Sequence, residues 1–272
     1  MVAEQALTGF RGAVVAIQPS TGQILAMVSE PSFDPNIFVN GINNVDFQTL
    51  QQSPDKPLYN RALRGLYPIG STIKPFFALQ GLNIGVITPS TTIFDPGWFK
   101  LKNTERVFHD WQHRGHGTVN LSKAIINSCD TYFYELATKL GVQHMDDVLT
   151  QFGFGDLTGV DLGEEIPGTV PSPDWKKSVK GEAWYLGDTV NMGIGQGYMQ
   201  ATPLQLASGV AAIANRGVRY TPYIVMGEQE QGKIYKAIAP TLTDPVPIKD
   251  PVIWSNVINA MQQVMELSLI HI

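Results

Sequence analysis

Residues 67–80, reading YPIGSTIKPFFALQ, constrain the fold of this chain more than any other stretch. A turn at Pro68 and Gly70 delivers the chain to Ser71, a residue type preferred at helix N-caps. The apolar residues that follow, Ile73, Phe76, Phe77 and Leu79, then predict a helix that faces a core. Lys74 comes three residues after Ser71, so both share one face of that helix and the amine can take the hydroxyl proton. Pro75 falls within the first turn, where backbone N–H groups lack intrahelical partners, although it disfavours helical geometry at Lys74. The spacing alone identifies nothing, because Ser53 and Lys56 repeat it in QQSPDKPL among prolines, with no apolar helix behind them. The bland reading of Ser71 and Lys74 is a helix cap with a solvated lysine.

A core large enough to receive such a helix is available, since 43% of the 272 residues are hydrophobic and only 16% are charged. The net charge of −5 comes without a basic run or an aromatic-plus-basic stripe, which argues against nucleic acid as a partner. No stretch approaches the roughly 18 apolar residues that cross a bilayer. The opening MVAEQALTGF lacks the basic and apolar regions of a signal peptide, so a soluble chain is expected, with any anchor upstream of it. The single cysteine, Cys129, excludes an internal disulfide.

Along the chain, residues 12–29 predict two strands joined by the turn Pro19-Ser20-Thr21-Gly22. Residues 30–66 predict mostly loop, with a short helix near 45–51. After the Ser71 helix, Phe94 to Gly117 forms a polar, aromatic-rich excursion. Helices are predicted over 120–127 and 130–140, the second closed by Gly141. Residues 163–188 read as turn-rich surface. Thr202, Pro203 and Gly217 bracket a strongly apolar, buried helix. Strands are expected at 218–226 and 233–239, and an amphipathic helix at 251–266. Without repeats or low-complexity linkers, residues 1–266 are counted as one domain.

Acyl chemistry at Ser71 needs a second polar group facing it, to pass a proton to the leaving amine and to hold substrate. Ser128-Cys129-Asp130, 57 residues after Ser71 and between two predicted helices, can supply it. The Ser-x-Asp pattern also occurs at Ser32 and Ser172, so position rather than pattern selects Ser128. Cys129 is either a small buried apolar residue or a metal ligand. The excursion before it holds Asp95, His109, Asp110, His113 and His116, and a Cys/His/Asp mixture suits zinc, though the spacing is not that of a zinc finger.

The blocks PSTGQILAMVS, PSFDPN, YPIGSTIKP, FDPGW, SCDTYFYELA, GDTVNMGIGQGY and ATPLQLA occur in one order over almost the whole chain. On them the chain strongly resembles the transpeptidase domain of class B penicillin-binding proteins, nearest to the elongation-specific branch. The resemblance implies an α/β fold of α+β type shared with serine β-lactamases, an antiparallel sheet flanked by helices. It implies a peptidoglycan D,D-transpeptidase with Ser71 as nucleophile, Lys74 as general base and Ser128 as proton relay. Asp130, at the place usually held by Asn, is the substrate-binding position. Relatives of this branch hold a structural zinc with an Asp, Asp, His, Cys set, and the matching positions are Asp95, Asp110, His116 and Cys129. The implied partners are stem peptides ending in D-Ala-D-Ala, β-lactams, and in a full-length protein a membrane glycosyltransferase and other elongation-machinery proteins. The implied location is the periplasmic face of the inner membrane, through an N-terminal anchor absent from this chain.

The family's third motif, Lys-Thr-Gly or Lys-Ser-Gly, does not follow Ser128 anywhere. The expectation is a C-terminally truncated domain with a foreign tail at 267–272. Such a fragment would be acylated at least about a hundredfold more slowly than a domain carrying the motif and its oxyanion donor. Two readings compete with a transpeptidase. One is a β-lactamase or D,D-carboxypeptidase on the same fold, which would deacylate quickly; the other is a β-lactam sensor or inactive scaffold.

Overall fold

The structure is a computed structural model that describes residues 2–102, 104–231 and 235–267. The tail expected to be foreign lies, from residue 268 onward, outside the described residues. In chain order the elements are α1 (Val2–Leu7), β1 (Gly12–Ile17), β2 (Ile24–Glu30), α2 (Asn44–Gln52), α3 (Arg61–Arg64), α4 (Lys74–Asn83), β3 (Thr92–Asp95), β4 (Trp98–Lys100), β5 (Val107–His109), β6 (Gly117–Asn120), α5 (Leu121–Ile126), α6 (Asp130–Gln151), α7 (Pro173–Lys180), α8 (Leu186–Met192), α9 (Pro203–Ala214), β7 (Gly227–Glu228), β8 (Lys236–Ala237) and α10 (Pro251–Leu267). The chain divides into two compact units, residues 1–67, 156–168 and 201–244 in the first, and 68–155, 169–200 and 245–272 in the second.

The first unit is built on the predicted hairpin. β1 and β2 pair antiparallel from Gly12 with Glu30 to Ala16 with Ala26, then slip so that Ile17 faces Ile24. The slip leaves Leu25 as the extra residue of a bulge, 61% exposed. α9 packs on β1, and α3 packs on both strands. Between them Leu63, Val160 and Leu204 form a small core covered by Val15, Ile17, Ile24 and Met27. α9 starts as the sequence predicts: Thr202 Oγ1 accepts the Gln205 N–H and Gln205 Oε1 accepts the Thr202 N–H, closing a capping box ahead of Pro203. Residues 218–226 do not form the expected strand. Tyr220 and Tyr223 make single bridges, to Leu242 and Gln23, and the nearest ladder is the two-residue pairing of β7 with β8.

The second unit is mainly helical. Every residue of α4 from Lys74 to Leu82 is buried, and Phe76 meets Phe152 and Phe154 edge-on at 4.8 and 5.2 Å. Phe152 continues this contact to Trp254 of α10 at 6.2 Å. Fully burying one such ring contributes about 1.5–3 kcal/mol, and an aromatic pair adds about 0.5–1.5 kcal/mol. α6 carries non-helical geometry at Gly141 (φ 71°), where the sequence predicts the break. The polar, aromatic-rich excursion is framed by two short ribbons, β3 with β6 and β4 with β5. Residues 163–188, expected to be turns, carry α7 and the start of α8. Their local signals are ordinary: Ser172 caps the Trp175 N–H, Pro173 opens α7, and Gly181 closes it in the left-handed region (φ 70°).

Candidate functional site

Ser71 is not the N-cap that its sequence context predicts. It lies inside a 3-10 turn, Gly70–Ile73, and α4 begins only at Lys74, whose N–H bonds the Ser71 carbonyl. Pro75 is the physical reason. An α-helical bond to that carbonyl would have to come from residue 75, and proline has no N–H to donate. The carbonyl is taken one residue earlier, and at three residues per turn Ser71 and Lys74 stack on one face. Ser71 is exposed, whereas the Lys74 side chain is 2% exposed.

The three N–H donors of Lys74 Nζ meet three acceptors: the Ser128 carbonyl at 2.9 Å, Ser128 Oγ at 3.1 Å and Asp130 Oδ1 at 2.5 Å. Its ammonium also lies 5.4 Å from the centre of the Phe133 ring. Burial pushes the Lys74 pKa below its ordinary value, and the Asp130 carboxylate pulls against this without cancelling it. Asp130, placed by sequence at a substrate contact, thus has one oxygen on Lys74. Its other oxygen accepts the Trp111 N–H at 3.3 Å. Trp111 also donates from Nε1 to the Asn127 carbonyl at 3.0 Å and keeps 44% of its surface exposed beside the site. Sequence reasoning passed over Trp111, whose only signal is its position after Asp110.

Ser128 reaches Lys74 because α5 ends in a Schellman motif. The Cys129 N–H bonds the Ala124 carbonyl at 2.9 Å and the Ser128 N–H bonds the Ile125 carbonyl at 3.1 Å. Ser128 therefore occupies the left-handed position that favours glycine, with φ 50°. Strain of this kind is kept where a side chain is needed. Glycine at position 128 is expected to be more stable than alanine by about 1 kcal/mol, since both lose the hydroxyl but only alanine keeps the strain. Denaturant midpoints of Ser128→Gly and Ser128→Ala measure this, and equal midpoints would refute it.

Directly behind the junction, ligand atoms of Asp95, Asp110, His116 and Cys129 lie within 4.8 Å of one another. His116 Nδ1 faces Asp95 Oδ2 at 2.7 Å and Asp110 Oδ1 at 3.6 Å, and Cys129 Sγ lies 3.5 Å from Asp95 Oδ2. The remaining carboxylate lone pairs accept backbone N–H groups: Gly97 and His116 on Asp95, Gln112 and Thr131 on Asp110. Burial opposes ionisation of Asp95, but the Thr131 hydroxyl, the Gly97 N–H and the His116 ring and N–H outweigh it and hold the carboxyl below its usual range. Burial pushes the Cys129 thiol up, so a thiolate there requires a cation beside it. No lysine or arginine among the described residues pairs with Asp95 or Asp110, both 1% exposed. Two buried carboxylates, an imidazole nitrogen and a sulfur, with no lysine or arginine in direct contact among the described residues, fit a tetrahedral divalent ion of borderline softness. Gly115 makes the convergence possible: a Cβ there would lie 2.2 Å from the Asp95 carbonyl oxygen. His109 and His113 are exposed and outside the cluster.

Comparison with known proteins accounts for nearly the whole chain. The family described as "Penicillin binding protein transpeptidase domain" matches residues 12–268. The peptidoglycan D,D-transpeptidase MrdA of Acinetobacter baumannii is 52% identical over 225 residues, 83% of this chain and 34% of that protein. MrdA of Escherichia coli is 44% identical over 230 residues, 85% of this chain and 36% of that protein. This chain thus spans about a third of the length of these curated relatives. Among solved structures, Pseudomonas aeruginosa PBP2 in complex with WCK 5153 superposes with a TM-score of 0.89 at 47% identity, over 97% of this chain and 57% of that one. PBP2 of Helicobacter pylori in complex with MreC superposes with a TM-score of 0.82 at 32% identity, over 97% and 46% of the two chains.

Proposed function

Because the chain belongs to the penicillin-binding protein transpeptidase domain family, we propose that residues 1–266 are a transpeptidase domain that cross-links peptidoglycan through an acyl-enzyme on Ser71. The observation that carries this reading is the burial of Lys74 against Ser128 and Asp130, one 3-10 turn from an exposed serine.

Neutral Lys74 accepts the Ser71 proton as Oγ attacks the carbonyl of the penultimate D-alanine of a stem peptide. The new C–O bond creates a tetrahedral oxyanion. Ser128 Oγ, within hydrogen-bond reach of Nζ, relays that proton to the departing nitrogen, so the C–N bond breaks and D-alanine leaves as a neutral amine. An acceptor amine on a second stem then attacks the ester. Its proton returns through the same pair and Ser71 is regenerated. Asp130 holds Lys74 in register and contributes to substrate binding. β-Lactams resemble the donor and acylate Ser71.

Asp95, Asp110, His116 and Cys129 are read as a structural zinc site. Four protein ligands would fill a tetrahedral shell and leave no position open for catalysis, and the Thr131 and Gln112 N–H groups orient Asp110. The site ties the β5–β6 loop to the junction carrying Ser128, and purified protein should carry about one zinc. In a full-length protein the same reading implies the periplasmic face of the inner membrane, with a glycosyltransferase and elongation-machinery proteins as partners. No helix among the described residues is long and apolar enough to cross a membrane.

The test is covalent labelling by a fluorescent penicillin, mapped by peptide mass. The adduct is expected on Ser71, absent in Ser71→Ala and retained in Ser53→Ala. Labelling that survives Ser71→Ala would sink the assignment.

A further inference from the structure

The stretch GIGQG at 193–197 has no role in the chemistry above, yet its backbone touches the turn that carries Ser71. α8 ends there in a second Schellman motif, with the Gln196 N–H on the Asn191 carbonyl at 3.1 Å and the Gly195 N–H on the Met192 carbonyl at 2.9 Å. The helix end is seated on α6 at Gly193, where a Cβ would lie 2.6 Å from Ala137 Cβ. From this fixed point the Gly195 carbonyl accepts the Gly70 N–H at 3.0 Å. A Cβ on Gly195 would lie 2.1 Å from the Gly70 oxygen, 2.7 Å from its nitrogen and 2.8 Å from its carbonyl carbon. The converse is not true: a Cβ on Gly70 would meet nothing within 4 Å. The contact therefore excludes any side chain at 195.

The Gly70 carbonyl and the Ser71 N–H are opposite edges of one planar peptide, so whatever displaces the carbonyl turns the N–H. That N–H has no acceptor among the described residues. A free backbone N–H on the attacking residue is the kind of donor that a tetrahedral oxyanion requires, and its value depends on being aimed before the charge develops.

We propose that Gly195 is a positioning residue: its carbonyl holds the Ile69–Gly70 peptide through the Gly70 N–H, its missing side chain leaves room for the Gly70 carbonyl, and together they aim the Ser71 N–H at the developing oxyanion. The inference rests on the acyl-transfer reading of Ser71. It assigns the GIGQG stretch a task distinct from the proton path through Lys74 and Ser128.

Gly195→Ala tests it, with Gly197→Ala as the matched control. Gly197 also has a positive φ, 75°, but its added Cβ would meet Asn191 Cβ at an ordinary 3.4 Å. Saturation kinetics of penicillin acylation separate the pre-covalent Kd from the first-order acylation rate. Gly195→Ala is expected to lower that rate about 10²–10³-fold, the contribution of one oxyanion donor, with Kd unchanged. Gly197→Ala should acylate near the unsubstituted rate. An unchanged rate in Gly195→Ala, or an equal fall in both variants, would overturn the clamp. Amide exchange of the unsubstituted chain gives a second reading that needs no variant: the Gly70 amide should be protected and the Ser71 amide should exchange freely. If the unsubstituted chain forms no Ser71 adduct, the acyl-transfer reading fails and exchange judges the clamp, as it does if Gly195→Ala does not fold. Equal exchange of the two amides refutes it.

Discussion

Replacing Lys74 by methionine will slow acylation of Ser71 by penicillin about 10²–10⁴-fold, the range of a positioned general base. Methionine fills a similar volume beside Phe133 but cannot accept the proton. It also leaves the Asp130 carboxylate, 14% exposed, without its cation, so stability should fall by about 3 kcal/mol. Lys74→Met with Asp130→Asn should recover most of that stability and none of the rate. This separates the chemical role of the amine from its structural one. The pH dependence has a definite sign. With the neutral amine as the proposed base and its pKa lowered by burial, the acylation rate should rise with pH through an inflection below 10.5 and be lost as pH falls beneath it. Asp130→Asn removes the largest opposing influence and should move the inflection lower, whereas Lys74→Met should abolish it. A rate in Lys74→Met equal to that of the unsubstituted chain would remove Lys74 from the mechanism.

Metal removal is expected to have the second large effect, on stability. Chelation, or Cys129→Ala, should lower Tm by on the order of 10 °C, because the energy of a structural zinc site is folding energy. Losing a few kcal/mol in a chain of this size shifts Tm by roughly 2–4 °C per kcal/mol. The fall should be large because metal loss leaves two buried carboxylates and a buried thiol with no lysine or arginine in direct contact. His116→Ala should behave like Cys129→Ala. His109→Ala and His113→Ala, both at exposed positions, should alter neither Tm nor metal content. Differential scanning calorimetry with a colorimetric zinc assay makes the measurement. Metal-free protein with an unchanged Tm would show that the cluster is held by hydrogen bonds alone.

Much of the fold was legible where local chemistry and long-range packing agree. The 12–29 hairpin carries its own turn residues, and α9 carries its capping box and its initiating proline. The α6 break sits at the one glycine in its middle. Reading failed where one of the two outweighed the other. The 218–226 stretch has strand composition but divides its backbone bonds between two segments, Tyr223 with Gly22 and Ile24, Thr221 with Thr241, so no continuous ladder forms among the described residues. α7 was missed because two tryptophans and several charged residues obscured good end signals at Ser172 and Gly181. Ser71 was read as a cap because serine usually is one, although Pro75 already held the information that the Ser71 carbonyl must be bonded from Lys74.

Residue order by itself determined the family and the ordered blocks. It also placed the serine and lysine on one face, since three residues of separation do that in either kind of turn. Tertiary structure alone decided what those residues are. Burial, which no spacing encodes, lowers the Lys74 pKa, as the proposed role of a base requires. The end of α5 bends back at a strained serine and brings Ser128 and Asp130 from more than fifty residues away onto that lysine. The excursion folds over the same junction, so Asp95, Asp110 and His116 meet Cys129 within 4.8 Å. Gly195, one of 26 glycines, becomes distinct only because the Gly70 backbone passes too close for any side chain. Each is a consequence of which surfaces pack together, and a sequence read in one dimension carries the surfaces without their pairing.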